Sequence, residues 1–363
     1  MLKIVQKWVD RYFAEEEAVI LLLLLLGSLL IIATIGDVVA PVIASMVLAF
    51  MMQGVVGQLT RRGLPEPLAL GLAFAIFIGA FLLFLLILLP LVWKQLGNLL
   101  IDLPRMVDSV RDALMLLPQR YPTLISDSQA RELIDSGSRD VARLGQSAFS
   151  FSIVHLPGFI GMAIYLIIVP LLVFFFLKDR EAILAWCAAL LPAQRPQMSR
   201  IWHEMDLQLA NYVRGKGVEI LIVGGVSVIT FMLFGLRYSL LLGFLVGLSV
   251  VIPYVGAVLV TLPVALVALF QWGLSPLFGY LLLAYLVIQI LDGNVLVPWL
   301  FSEANSLHPI AIILAVLLFG SIWGVWGTFF AIPLATLVKA TMHAWPRSQS
   351  GDAALNLPRD PAV

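Results

Sequence analysis

Long apolar runs alternate along this chain with short polar punctuation, and their lengths predict an all-α, polytopic membrane protein. The first two runs, roughly 18–35 and 38–58, are separated only by Gly36-Asp37, which predicts a tight helical hairpin. No small-residue cleavage site follows Ile35, so the Leu-rich first run reads as a retained span and not as a signal peptide. Arg61-Arg62 and Pro65-Glu66-Pro67 close the second run before a third, Leu68 to Val92.

From Lys94 to Leu156 the pattern changes. Leu96, Leu99, Leu100, Leu103, Val107, Val110, Leu114 and Leu117 recur at helical spacing among charged residues, which predicts an extramembrane amphipathic insert over 94–156. A fourth span, Pro157 to Leu177, ends in Lys178-Asp179-Arg180-Glu181, where Asp179 reads as a solvated helix end. Residues 192–216 form a second polar connector with an apolar stripe of Ile201, Met205, Leu209 and Tyr212. A fifth span, Val218 to Leu236, carries Gly224, Gly225 and Ser227, small enough to let helices approach closely. These boundaries give a first region 1–93, with an interfacial N-terminal helix and three spans, the insert 94–156, a span and connector 157–216, a C-terminal region 217–340 and a tail 341–363.

Within 217–340 two apolar segments, 239–270 and 309–338, exceed the roughly 20 residues of one span. Each contains helix-breaking residues: Pro253 and Gly256 in the first, Gly324, Gly327 and Pro333 in the second. Either a tilted, broken helix or a re-entrant hairpin fits such a pattern. Paired interruptions of this kind point to the binding region of repeat-built transporters, although close packing through Gly243-x-x-x-Gly247 and Gly320-x-x-x-Gly324 accounts for the same glycines.

Between them, the run 276–301 is interrupted by Gln289, Asp292, Gly293 and Asn294, with Pro298 beyond. An Asp at mid-membrane costs roughly 2.5–3.5 kcal/mol and each apolar neighbour returns about 0.3–0.6, so about six of them offset it. No Lys or Arg occurs from Tyr238 to Val338 to pair with it. Two roles are open. Asp292 caps a half-helix beginning near Val295, or with Gln289 and Asn294 it offers oxygens and amides to a polar solute, a proton or a cation. His308-Pro309 reads as a helix start, with a proton role as the alternative. Glu219, within one turn of Lys216, reads as a local ion pair.

Composition sharpens the class. Of 363 residues 61% are hydrophobic and 12% charged, about half the charge of a soluble domain. A formal charge of zero gives no reason to invoke nucleic acid. The single Cys187 excludes an internal disulfide and a thiolate metal cluster, and four scattered histidines make no ligand motif. No P-loop, G-x-S-x-G or metalloprotease motif is present, so the chain is not read as an enzyme and any pumping draws on an ion gradient or a partner. Short-loop cations, including those of the 178–216 connector, fall on one side if the spans alternate, which predicts cytoplasmic termini.

Pro253-Tyr254-Val255-Gly256, Gln289-x-x-Asp292-Gly293-Asn294-x-x-x-Pro298, Leu307-His308-Pro309, and Gly324-x-x-Gly327 leading to Pro333 together resemble the autoinducer-2 exporter family of bacterial inner-membrane permeases. Tyr212, Arg214-Gly215 and Phe176-Leu177-Lys178-Asp179 match as well, and through the Trp345-Pro346 tail the chain is similar to the PerM type of that family. The resemblance implies about eight membrane helices, a homo-oligomer such as a pentamer, no cofactor, and transport of a small polar solute such as an autoinducer-2-like furanosyl molecule. It carries functional weight to Gln289, Asp292, Gly293, Asn294, Pro298, His308 and Pro309. The same family implies Na⁺(Li⁺)/H⁺ antiport as an alternative. A reading of another class is a membrane scaffold that gathers partners on residues 94–156.

Overall fold

The computed structural model describes residues 16–120, 159–192, 195–253, 255–301 and 307–344, and all regular structure among them is helical. The expected N-terminal interfacial segment, most of the insert beyond 120 and the Trp345-Pro346 tail lie outside the described residues. Among the described residues six stretches are long and apolar enough to cross a membrane: Val38–Arg61, Glu66–Met106, Met198–Leu233, Val255–Trp272, Pro276–Leu300 and Pro309–Phe329. Shorter apolar helices cover Tyr165–Lys178, Ser239–Ser249 and Ala331–Thr341. The polytopic all-α architecture read from the hydropathy pattern is therefore present.

The helices are α1 (Glu16–Arg61), α2 (Glu66–Leu83), α3 (Leu89–Arg120), α4 (Phe159–Lys178), α5 (Arg180–Ala189), α6 (Pro196–Leu233), α7 (Ser239–Ser249), α8 (Val255–Trp272), α9 (Pro276–Leu291), α10 (Val297–Leu300), α11 (Pro309–Phe329) and α12 (Ala331–Ala344). They divide into two compact units, one of 1–43, 179–210 and 306–363, the other of 44–178 and 211–305.

Three expected boundaries move. The turn expected at Gly36-Asp37 is a kink at Ile35 (φ −127°, ψ 27°), because one residue leaving helical dihedrals redirects the axis without a loop. The third span and the start of the insert are one rod, α2 running into α3 through a π-helical turn at Phe84–Leu88. The connector 192–216 and the fifth span are likewise one 38-residue helix, α6. Gly215 and Gly217 lie where polar residues give way to apolar ones, yet the helix continues through both.

In the 44–178/211–305 unit, α7 and α8 lie side by side, joined by residues 250–254, so the first overlong segment is a helical hairpin and not one broken span. At about 1.5 Å per residue the 11 residues of α7 reach only about 16 Å, too short for a hydrocarbon core of about 30 Å. A Cβ on Gly256 would overlap the Ser249 carbonyl, so the two arms close only over glycine. Leu242, Val246, Val264 and Val267 are fully buried in the hairpin core, joined by Phe231, Leu281 and Tyr285. Gly247 lets α6 come within reach: its Cβ would stand 2.9 Å from the Ile220 carbonyl oxygen. Gly224 of the fifth span thus serves close packing, its Cβ position lying 3.2 Å from the Gly247 Cα, while Gly225 faces open space.

The base of the hairpin is held by polar contacts. Gln95 Oε1 accepts the Leu241 N–H at 2.9 Å, satisfying one of the free donors of the α7 N-terminus. Seven residues on, along the same face of α3, Asp102 Oδ2 accepts the Tyr238 hydroxyl at 2.5 Å. Gln271 accepts from Arg237 N at 2.7 Å and donates to the Gly235 carbonyl at 2.8 Å. Tyr238 has φ 58°, a left-handed conformation that these bonds impose on a bulky residue. Burial, and then the bond to Asp102, pushes its hydroxyl up to about 12. Leu99, Leu103 and Met106 bring the amphipathic stripe of the insert onto the hairpin core.

The second overlong segment also doubles back, within the other unit. Trp323 (φ −133°) and Gly324 (φ 58°, ψ −133°) leave the helix, and a Cβ on Gly327 would overlap the Phe319 carbonyl. Residues eight apart in a straight helix stand about 12 Å from each other, so this proximity requires a reversal at Gly324. Trp323 stacks on Phe330 at 6.2 Å, and its indole passes 3.0 Å from where a Gly36 Cβ would be.

Replacing Gly256 by Ala is expected to cost roughly 1–3 kcal/mol, since backbone must move to relieve the overlap. Gly225→Ala, with open space around its Cβ, is expected to be neutral by the same thermal unfolding in detergent. Because the folded state holds the Tyr238 proton, its contribution to stability is full below pH 10 and fades as pH rises from 10 to about 12. An alkaline tyrosinate titration compared with Tyr238→Phe checks this by the loss of the late-ionising component.

Candidate functional site

The run 276–300 is helical from end to end. At the expected break the helix widens for one turn, Asp292–Leu296, in which the Val297 N–H donates to the Asp292 carbonyl. Pro298 explains the widening: it has no N–H for the next ladder bond, and its ring needs the preceding carbonyls moved aside. The π turn at Phe84–Leu88 precedes Pro90 in the same register, two residues after the turn ends.

Two expectations fail here. Asp292 does not cap a half-helix: its backbone is helical (φ −58°, ψ −59°) and its side chain caps nothing. Nor do Gln289, Asp292, Gly293 and Asn294 interrupt the run, because the π turn keeps its bonds inside the helix. Polarity at depth is carried by side chains. Gln289 and Asp292, three residues apart, share a face, and Gln289 Nε2 and Asp292 Oδ1 are buried without a hydrogen-bond partner. Asn294 is exposed, and its Nδ2 donates back to the Ile290 carbonyl at 2.9 Å. Gly293 and Pro298 are exposed as well.

What faces Asp292 comes from far away in the sequence. Asp292 lies within electrostatic reach of Lys216 and Glu219 on α6. Only 5% of Lys216 and 1% of Glu219 is exposed, so this is a fully desolvated ion pair. Lys216 Nζ stands 2.8 Å from Glu219 Oε2, off the geometry of an aligned hydrogen bond, and donates to the Val250 carbonyl at 2.8 Å. Phe301 lies with its ring centroid 5.4 Å from Nζ, a cation–π distance, and 5.9 Å from the Tyr212 ring. Gly215 makes room for that ring, since a Cβ would stand 2.6 Å from it. Arg214 turns away, its Nε donating to the Phe50 carbonyl at 3.4 Å. The ammonium thus has a carboxylate, a carbonyl at the hairpin tip and an aromatic face.

The local ion pair expected for Lys216 and Glu219 is present, but its setting was missed. Lys216 was grouped with loop cations and is buried, which removes it from that side of the topological count. The signal was Tyr212-Val213-Arg214-Gly215-Lys216-Gly217-Val218-Glu219, opposite charges one turn apart, between glycines, at the edge of an apolar run. The stretch Tyr238–Val338 holds no Lys or Arg, and the ammonium within electrostatic reach of Asp292 comes from α6. His308 and Pro309 belong to the other unit, where His308 is the N-cap of α11 and its Nδ1 accepts the Ile310 N–H at 3.3 Å. That is the helix-start role.

The sequence profile of the AI-2E family transporters matches residues 19–347. The chain belongs to this transporter family. It is 43% identical over 349 residues to the Escherichia coli (strain K12) protein named "Putative permease PerM", covering 96% of this chain and 99% of that one. It is 26% identical over 303 residues to the Bacillus subtilis (strain 168) protein named "Putative transport protein YrrI", covering 83% of this chain and 85% of that one. A more distant relative, AI-2 transport protein TqsA of Escherichia coli (strain K12), is 24% identical over 322 residues, 86% of this chain and 88% of TqsA. A multi-pass membrane protein of a bacterial permease family is thereby established, with the lipid bilayer as its surroundings.

Removing one member of a buried ion pair strands the other charge, so Lys216→Met and Glu219→Leu are each expected to cost about 3–5 kcal/mol. The double variant is expected to recover most of that loss. Thermal unfolding of the four proteins in one detergent, read as a double-mutant cycle, measures the coupling.

Proposed function

We propose that this chain carries a small polar solute across the bacterial plasma membrane, and that Gln289 and Asp292, with Lys216 and Glu219 opposite, are its polar contact surface. The observation that carries the reading is two carboxylates and an ammonium gathered on membrane-spanning helices, where ionisable groups are retained at a cost and mark pathways. A compact solute rich in hydroxyls suits it, since the carboxylates accept hydrogen bonds and Gln289 accepts or donates them. The relative named as an AI-2 transport protein makes furanosyl polyols the first class to test. Movement proceeds by facilitated diffusion or on an ion gradient. Asn294, Gly293 and Pro298 extend the pathway along the same helix, and His308 with Pro309 sets the start of a second hairpin in the carrier. Pro253, Gly256, Gly324, Gly327 and Pro333 are its hinges. Termini in the cytoplasm and assembly as a homo-oligomer complete the proposal.

The rival of another class, a membrane scaffold, moves nothing. Purified protein in proteoliposomes is expected to take up labelled furanosyl polyols. Asp292→Asn is expected to assemble normally by size-exclusion chromatography while flux falls roughly tenfold, the equivalent of one lost charge-assisted contact. Absence of flux across a panel of polar solutes returns the scaffold reading. Unaltered flux in Asp292→Asn at every pH removes Asp292 from the pathway.

A further inference from the structure

Three of the five residues with positive φ among the described residues sit at one place, the base of the α7–α8 hairpin. Gly235 (φ 70°) and Tyr238 (φ 58°) lie where the chain enters α7, and Gly273 (φ 61°) where it leaves α8. Neither glycine is there to admit a neighbour, since a Cβ at 235 or 273 would meet nothing within 4 Å. What they supply is backbone freedom. Gln271 joins the two corners, accepting from the Arg237 N–H and donating to the Gly235 carbonyl, so the feet of the hairpin stay together.

The far end is closed as firmly. The Gly256 N–H donates to the Ile252 carbonyl at 2.9 Å, and the Ser249 carbonyl occupies the place of a Gly256 Cβ. Leu242 and Val246 of α7 share one buried core with Val264 and Val267 of α8. The two arms are thus tied to each other at both ends and between. Against α6 the hairpin presents Gly247, which lies over Gly224, backbone against backbone. Such a contact has no side chain that must be lifted out of a hole before the helices slide.

Its orientation is set from α3. Gln95 holds the Leu241 N–H, and Asp102 holds the Tyr238 hydroxyl. The second bond acts on a sensitive residue, because Tyr238 is the N-cap of α7 and its dihedral angles direct the helix that follows. A left-handed backbone is unfavourable for a bulky side chain and persists only while contacts hold it. Once the hydroxyl is released, Tyr238 relaxes toward negative φ and turns α7 as it goes. α3 itself continues as helix to Arg120, so a displacement of its outer end is carried to both acceptors.

We infer that α3 is a latch on the hairpin: Gln95 and Asp102 hold α7 and α8 in one orientation, and on their release both arms swing as one body about Gly235 and Gly273. Pro253 and Gly256 govern the angle between the arms, whereas the two basal glycines govern the angle of the pair. Asp102 and Gln95 are positioning residues in this device. The latch goes beyond the transport reading, and its test uses no solute.

The measurement is of distances between pairs of nitroxide labels by double electron–electron resonance. Full-length protein carrying Cys187→Ser is reconstituted in nanodiscs, with labelled chains diluted in unlabelled ones. Leu72→Cys on α2 with Val258→Cys on α8 reads the hairpin against its surroundings. Leu248→Cys with Val258→Cys reads one arm against the other, and Leu72→Cys with Ile229→Cys reads α2 against α6; all four positions are exposed. The variant Gln95→Leu with Asp102→Leu is expected to add a second distance in the first pair alone. Its population is expected to stand roughly tenfold above the parent's, from the loss of one neutral and one charge-assisted hydrogen bond. Asp102→Asn, whose Oδ1 still accepts the hydroxyl, is expected to stay within about twofold of the parent. Arg105→Gln, which removes the exposed partner of Asp102 and leaves the latch, is expected to match the parent. Where the leucine variant does not fold, Tyr238→Phe, which keeps the ring and deletes the hydroxyl, is expected to show the second distance. A first pair that stays unchanged in the leucine variant or, failing that, in Tyr238→Phe overturns the inference. So does a new distance in the second pair, where the arms part instead of swinging, or in the third, where the bundle loosens at large. A leucine-like result for Asp102→Asn overturns it as well, since the hydrogen bond is then not what holds the hairpin.

Discussion

A lysine ammonium kept away from water inside an apolar helix bundle must be given partners, and the central architecture of this protein follows from where they come from. Glu219 is supplied one turn further along the same helix, the cheapest source of a counter-charge. The remaining partners are tertiary: a carbonyl from the turn of a hairpin and an aromatic face from the end of the α9–α10 helix. Each can reach Nζ only because glycines remove side chains in the way, Gly215 before Phe301 and Gly247 where α7 meets α6. Charge and packing are thus one constraint, since a bulkier residue at either glycine pushes away a group that the ammonium depends on.

The hairpins are the second consequence of life in a bilayer. An apolar helical chain that reverses direction must keep its backbone groups bonded, and it does so by keeping the interruptions short. Among the described residues, 250–253 in the first segment and Trp323-Gly324 and Phe330 in the second interrupt the helices. The two reversals share a device, a glycine after the turn lying against a carbonyl of the preceding arm. The π turns at Phe84–Leu88 and Asp292–Leu296 solve a related problem, admitting a proline to a long helix without a break. The second of them sets the direction of Asp292, so a proline six residues away positions the acid.

Membership of a transporter family fixes the kind of work this molecule does. Lys216 and Glu219 form a buried ion pair on α6, and the Lys216 ammonium also holds the Val250 carbonyl of the hairpin turn.

Hydrophobic periodicity by itself determined the class, the approximate spans and the two overlong segments, because burial in lipid demands long apolar runs and helices satisfy their own backbone. It also identified His308-Pro309 as a helix start and Lys216–Glu219 as a pair, both being local arrangements within a turn or two. It misplaced the breaks: Asp292-Gly293-Asn294 has the composition of a loop, yet helix on either side and a single π turn at Pro298 keep it helical. Sequence was also silent on which cation serves Asp292, since residues 216 and 292 have no periodic relation. Only the packing of α6, the hairpin and the α9–α10 helix brought them together, because electrostatic neutrality in a low-dielectric interior is settled by neighbours in space and not by neighbours along the chain.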